Sequence, residues 1–174
     1  MRVNMSILNA YLDTSIISGL AKEDLKDNEL EALLVILKQH KNGNVVLVTS
    51  PIAKEEIERI PESYRRKHEI IYNLLSDLSV AKEVQIYSGG MMGLGLGLGL
   101  GGGGRRIHLM YEELSALLPD KSDARHIFQA AMNNIQYFLT TDARTILSYR
   151  EKISQIAKVE AVNPLEFMKI CIEN

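Results

Sequence analysis

Short apolar runs alternate along this chain with longer stretches of helical spacing, and that alternation restricts the fold more than any other feature. The runs SILNAYL (6–12), NVVLVTS (44–50), IQYFLTTD (135–142) and KVEAVN (158–163) have strand length, and KEVQIYS (82–88) is a further candidate. Between them, TSIISGLAKEDL (14–25) reads as a turn into a short helix. In DNELEALLVILKQHKNG (27–43), Leu30, Leu33, Leu34 and Leu37 share a helical face and Gly43 supplies the stop. Ser50 and Pro51 read as the N-cap and first residue of a helix through IAKEEIERI. The stretch 62–79 is a long amphipathic helix with Ile70, Leu74, Leu75 and Leu78 on its apolar side. Residues 105–119, 122–134 and 164–174 give three more helices. Strands separated by helices predict an α/β fold with a central, mostly parallel sheet covered on both faces. In such sheets ligands and chemistry collect at the carboxyl ends of the strands.

The 174 residues, 46% of them hydrophobic and 24% charged, suit one globular domain over 1–174 with a substantial core. A net charge of -2 leaves no overall basic field, so a polyanion partner needs a local cationic patch or a bound cation. Cys171 is the single cysteine, which excludes an internal disulfide and fits a reducing compartment. Neither a signal peptide nor a membrane span is read from the sequence, so a cytoplasmic protein is expected. The tract GGMMGLGLGLGLGGGG (89–104) contains matches to G-x-G-x-x-G, but alternating glycines generate these by chance. Its position mid-chain is also wrong for a dinucleotide fingerprint. A flexible Gly/Leu-rich loop is the expectation for 89–104.

Four acids stand out by position. Asp13 and Asp142 end apolar strand-like runs, Glu56 lies in the helix after the second strand, and Asp123 opens a helix. Each has a plain structural reading: Asp13 and Asp142 as helix caps, Glu56 as part of a solvated KEEIER face, Asp123 as a first-turn acid favoured by the helix dipole. Jointly they carry more. A parallel sheet brings strand ends to one edge, and carboxylates crowded there must hold protons or a cation. Oxygen ligands alone select Mg²⁺ or Mn²⁺, and no Cys/His cluster competes for zinc. Such an ion can bind phosphate, activate water and stabilise a leaving alkoxide.

The successive stretches YLDTSII (11–17), TSPIAKEEIERI (49–60), KSDARHIFQAAMNNIQYFLTTDARTI (121–146) and VNPLEFM (162–168) resemble the motifs of PIN-domain proteins over nearly the whole chain. The Asp-Ala-x-His-Ile block followed by a strand ending Thr-Thr-Asp is the most specific part. The resemblance implies a three-layer α/β/α PIN-like fold and a Mg²⁺- or Mn²⁺-dependent endoribonuclease of the VapC toxin type. Its implied partners are an RNA substrate and an antitoxin protein; a homodimer is left open, and no membrane partner is expected. It implies Asp13, Glu56, Asp123 and Asp142 as catalytic acids, with Asp13, Asp123 and Asp142 holding the metal. Thr14, Ser15, Thr140 and Thr141 match its supporting hydroxyls. Glu56 fits the second motif because Ile57 follows it, and Glu55 is the neighbouring alternative.

Arg59, Arg65, Arg66 and Lys67 could line an RNA groove or simply form a solvated cationic turn. His126, three residues after Asp123, reads as a packed histidine rather than a general base. Two other classes compete with the nuclease: a non-catalytic PIN-like module binding RNA or protein, and a small phosphatase. The phosphatase is disfavoured because Asp13-Thr-Ser lacks a second aspartate two residues on.

Overall fold

The computed structural model describes residues 7–75, 79–80, 83 and 103–173. Its five strands form one all-parallel sheet in the order β3-β2-β1-β4-β5. β1 is Leu8–Leu12, β2 Val45–Thr49, β3 Ser79–Val80, β4 Tyr137–Leu139 and β5 Glu160–Val162. The helices are α1 (Thr14–Lys22), α2 (Asp27–Lys41), α3 (Pro51–Glu58), α4 (Glu62–Leu75), α5 (Gly103–Leu117), α6 (Lys121–Met132), α7 (Arg150–Ala157) and α8 (Pro164–Glu173). A short 3-10 turn, Leu147–Tyr149, precedes α7.

Successive residues of a strand face opposite sides, and β1 shows the consequence. Leu8, Ala10 and Leu12 enter one core layer with Leu33, Ile36 and Phe167 of α2 and α8. Tyr11 enters the other, with Leu114, Ile127, Phe128 and Ile153 of α5, α6 and α7. A third cluster joins Ile17, Ala53 and Ile57 of α1 and α3 to Ile71, Tyr72 and Leu75 of α4. Helices on both faces of a parallel sheet make the three-layer α/β/α arrangement expected from the alternation. Period two also puts Asp13 on Tyr11's side of the sheet, toward α6.

Several local expectations change. Leu30 and Leu34 are 41% and 60% exposed, because the face of α2 that meets the core is Ala32, Leu33 and Ile36. Ile70 is 50% exposed, and Ile71 and Tyr72 pack in its place. Ser50 is the N-cap of α3 by position, but its hydroxyl makes no cap bond and meets Tyr11 instead. Helix α7 was not expected at all. Gly103 and Gly104, the last residues of the glycine tract, begin α5. The rest of the tract and most of KEVQIYS lie outside the described residues, and β3 is upstream, at Ser79–Val80. No helix among the described residues is long and apolar enough to cross a membrane.

Candidate active site

The strand order reverses at β1. The chain steps from β1 to β2 and β3 on one side, then returns to β4 and β5 on the other. In open parallel sheets this reversal leaves a crevice beyond the carboxyl ends of the two diverging strands. Leu12 pairs with Leu139 at those ends, and the Asp13 amide donates to the Leu139 carbonyl at 3.0 Å. Asp13 and the segment Thr140–Asp142 therefore emerge side by side into the crevice.

Asp13 is buried, at 4% exposure, and takes the N-cap position of α1 without making a cap bond. Its Oδ2 accepts from the Ser15 hydroxyl at 2.6 Å and the Thr140 hydroxyl at 2.7 Å. A hydroxyl has one proton, so with both directed to Asp13 the two oxygens act elsewhere as acceptors. Ser15 Oγ receives the Thr141 amide at 3.1 Å and Thr140 Oγ1 the Asp142 amide at 3.0 Å. The carboxylate of Asp13 is thus fixed by Ser15 in the first turn of α1 and by Thr140 in the loop after β4.

Asp142 ties its own turn. Oδ1 accepts the amides of Arg144 and Thr145 at 2.9 and 2.8 Å, and Oδ2 accepts the Thr145 hydroxyl at 2.6 Å. Burial opposes its charge, but these bonds outweigh burial and hold Asp142 below the ordinary aspartate range. Asp123, in the first turn of α6, is pushed up to about 6. Burial is the main cause; the Thr145 hydroxyl opposes it, and the charges of Asp13, Asp120 and Asp142 add to it. The charges of Asp13 and Asp142 therefore both reach Asp123. Among the described residues, however, no three His, Cys, Asp or Glu side chains stand close enough to share one ion.

Glu56 belongs to a different set of bonds. Its Oε1 accepts the Ser122 hydroxyl in a very short contact, and its Oε2 is 3.1 Å from His126 Nε2. Burial disfavours its charge, yet the His126 bond and charge, with Ser122 and Thr14, hold its carboxyl down at about 2. Glu55 turns away, pairing with Arg125 at 2.8 Å, and Arg125 also reaches Glu83 at 2.6 Å. Both neighbours meet α6, Glu55 at Arg125 and Glu56 at Ser122 and the buried His126.

Thr14 approaches His126 Nε2 at 3.4 Å, while Thr141 contributes through its backbone. Sequence reasoning missed Thr145, which bonds Asp142 and acts on Asp123, and Tyr11, Ser50 and Ser122. Only Tyr11 left a trace, being two residues before Asp13 on the same strand face. Of the proposed RNA-facing cations, Arg65 donates through Nε and Nη2 to the Ile60 carbonyl at 3.0 and 2.9 Å, and Lys67 pairs with Glu23 at 2.8 Å. Arg59 is exposed at the C-terminus of α3. Arg66 opens onto a groove of about 1090 Å³ between α1 and α4 that also takes Lys22.

No family model and no curated protein sequence matches the chain. Among solved structures the chain is similar to one from VapBC2 of Rickettsia felis, bound to a DNA fragment from their promoter. The TM-score is 0.52 at 14% identity, covering 90% of this chain and 98% of that one. At that identity the likeness is one of fold, carried through almost the full length of both chains.

Proposed function

We propose that this protein is a Mg²⁺- or Mn²⁺-dependent endoribonuclease whose site is the crevice at the carboxyl ends of β1 and β4. The observation that carries the reading is Asp13 beside Thr140–Asp142 at the reversal of strand order, with the charges of Asp13 and Asp142 helping burial push the Asp123 carboxyl up to about 6. Crowded carboxylates at such an edge suit a hard divalent cation. Asp13 and Asp123 would hold it, and Asp142 would add charge from its turn. Magnesium sites commonly use one or two carboxylates and complete themselves with water and substrate phosphate, so a three-acid cage is not required. When bound, the ion supplies Lewis-acid polarisation of a phosphate and a lowered water pKa.

The chain's own residues divide the remaining tasks. Ser15 and Thr140 fix the direction of Asp13 and leave it acceptor-only toward the crevice. The Asp123 carboxyl, pushed up to about 6 without an ion, would give up its proton on binding one. Glu56 stays anionic far below neutrality and would be a catalytic acid that presents a fixed negative charge to the site. RNA as the substrate and an antitoxin as a partner follow from the PIN resemblance, supported by the shared fold with a chain of VapBC2. A cytoplasmic location fits that role.

A non-catalytic PIN-like binding module is the second reading. It is favoured by Asp142, whose two oxygens are both taken up by the 142–145 turn. Cleavage of a panel of structured RNAs, with Mn²⁺ or with chelator, separates the two. The nuclease reading expects metal-dependent products from the parent and at least a ~100-fold slower rate from Asp13→Asn, the scale of losing an electrostatic catalytic group. RNA retained but never cut, with or without metal, would establish the binding module.

A further inference from the structure

We propose that His126 is the positioning residue of Glu56, acting through a buried chain of hydrogen bonds that begins at Ser50 and Tyr11. The inference deepens the nuclease reading and rests on it for its consequence in turnover. Its geometry is independent of that reading.

Tyr11 is fully buried, stacked on Phe138 at 5.3 Å between ring centres and edge-on to the His126 ring at 5.7 Å. Its hydroxyl donates to Ser50 Oγ in a very short contact. A phenol carries one proton, so toward His126 Nδ1, 2.7 Å away, the Tyr11 oxygen can only accept. Nδ1 is then the donor. On the far side of the ring, Nε2 faces a carboxylate oxygen of Glu56 at 3.1 Å and must also donate. Both ring nitrogens are committed, and the side chain is 1% exposed.

That geometry leaves His126 no route to a substrate, which excludes a direct acid or base role. It does determine where Glu56 points. Ser122 and His126 lie one turn apart on α6 and hold one carboxylate oxygen each. A free carboxylate rotates; one held at both oxygens by a single helix cannot. The Tyr11 link, fixed in turn by the Phe138 stack, keeps the imidazole plane from turning. The chain thus joins the end of β2, the carboxyl end of β1, α6 and α3. Stability alone gives no reason for this arrangement, since a buried ion pair is commonly no better than well-packed apolar residues of equal volume. Orientation of Glu56, one of the four acids of the proposed site, does.

The test uses two substitutions that divide the histidine's bonds. In His126→Asn the amide nitrogen falls near the position of Nδ1 and keeps the link to Tyr11. In His126→Gln it falls near Nε2 and keeps the link to Glu56. With RNA and Mn²⁺, the Gln variant should stay within ~10-fold of the parent kcat and the Asn variant should lose ~100-fold, the scale of a 1 Å misplacement of a catalytic group. KM should be near the parent's in both. Equal kcat for the two variants, or losses that follow their melting temperatures, would overturn the proposal. Crystal structures of both variants decide the geometry without any activity. Glu56 should leave Ser122 in the Asn variant and stay in the Gln variant, and an unmoved Glu56 in His126→Asn would overturn it. A parent that cuts no RNA would defeat the nuclease reading while leaving this structural comparison intact. If neither histidine variant folds, Tyr11→Phe keeps the ring stack and removes the acceptor of Nδ1. It should displace the imidazole and Glu56 together, and an unchanged Glu56 would refute the chain.

Discussion

Asp13 and Asp142 look alike in the sequence, each an aspartate closing an apolar run, yet they do different things. Asp142 closes the turn to Thr145 and caps no helix, while Asp13 makes no cap bond and is held by the hydroxyls of Ser15 in α1 and Thr140 after β4. Asp13 was legible from its place at a strand end, and Thr14, Ser15 and Thr140 only through the PIN resemblance. Ser50, Ser122 and Thr145 were not: a lone hydroxyl has no periodicity, and only the packed sheet shows which one faces a carboxylate. Asp123 gives the sharpest prediction at this scale. Its carboxyl is raised from 3.8 to about 6, so the folded protein binds that proton more tightly than the unfolded chain does. The resulting stabilisation is fully present below the unfolded value and is lost as pH rises through about 6. Without divalent metal, the melting temperature should fall between pH 5 and 7, and Asp123→Asn should make that fall shallower. His126, also raised, contributes in the same direction and remains in the variant. Melts of parent and variant across that range measure the difference, and identical slopes would remove Asp123 from the crowded site.

At the scale of elements, helices with several large apolar residues were readable, and those held by few contacts were not. Helix α7, REKISQIA, buries only Ile153 and Ala157, one turn apart, among charged and polar neighbours. A spacing that sparse does not rise above the surrounding polarity until α5, α6 and the sheet are there to receive it. The reverse happened in α2, where Leu30 and Leu34 have a core-like spacing and are left exposed by the rotation that buries Leu33 and Ile36. Helix α8 is the better anchor. Phe167 is fully buried against Tyr137 of β4, with ring centres 5.2 Å apart, within the layer that also holds α2. Phe167→Ala should destabilise the fold by about 3–5 kcal/mol, the usual cost of emptying a large aromatic site in a core. Denaturant unfolding measures it. A loss below about 1 kcal/mol would mean that α8 is not docked as described, since cutting even a smaller buried side chain such as Leu back to Ala costs about 2 kcal/mol or more.

For the whole molecule, the alternation of strands and helices led to a parallel sheet, but the side on which each strand joins was not readable. That choice creates the site: β4 returns to the far side of β1, and the reversal brings Thr140–Asp142 beside Asp13 while α6 carries Asp123 and His126 over them. A net charge of -2 makes a bound cation the natural means of holding a polyanion at an edge already rich in carboxylates. The central claim is that this edge binds a divalent ion through Asp13 and its neighbours. Thermal melting of the parent and of Asp13→Asn during a Mn²⁺ titration tests it most directly. The account predicts that Mn²⁺ raises parental stability progressively, by about 2.7 kcal/mol at a hundred times its dissociation constant, because the ion binds the folded state alone. Asp13→Asn should respond much less. A parent whose melting temperature ignores Mn²⁺, or a variant that gains as much as the parent, would contradict the account.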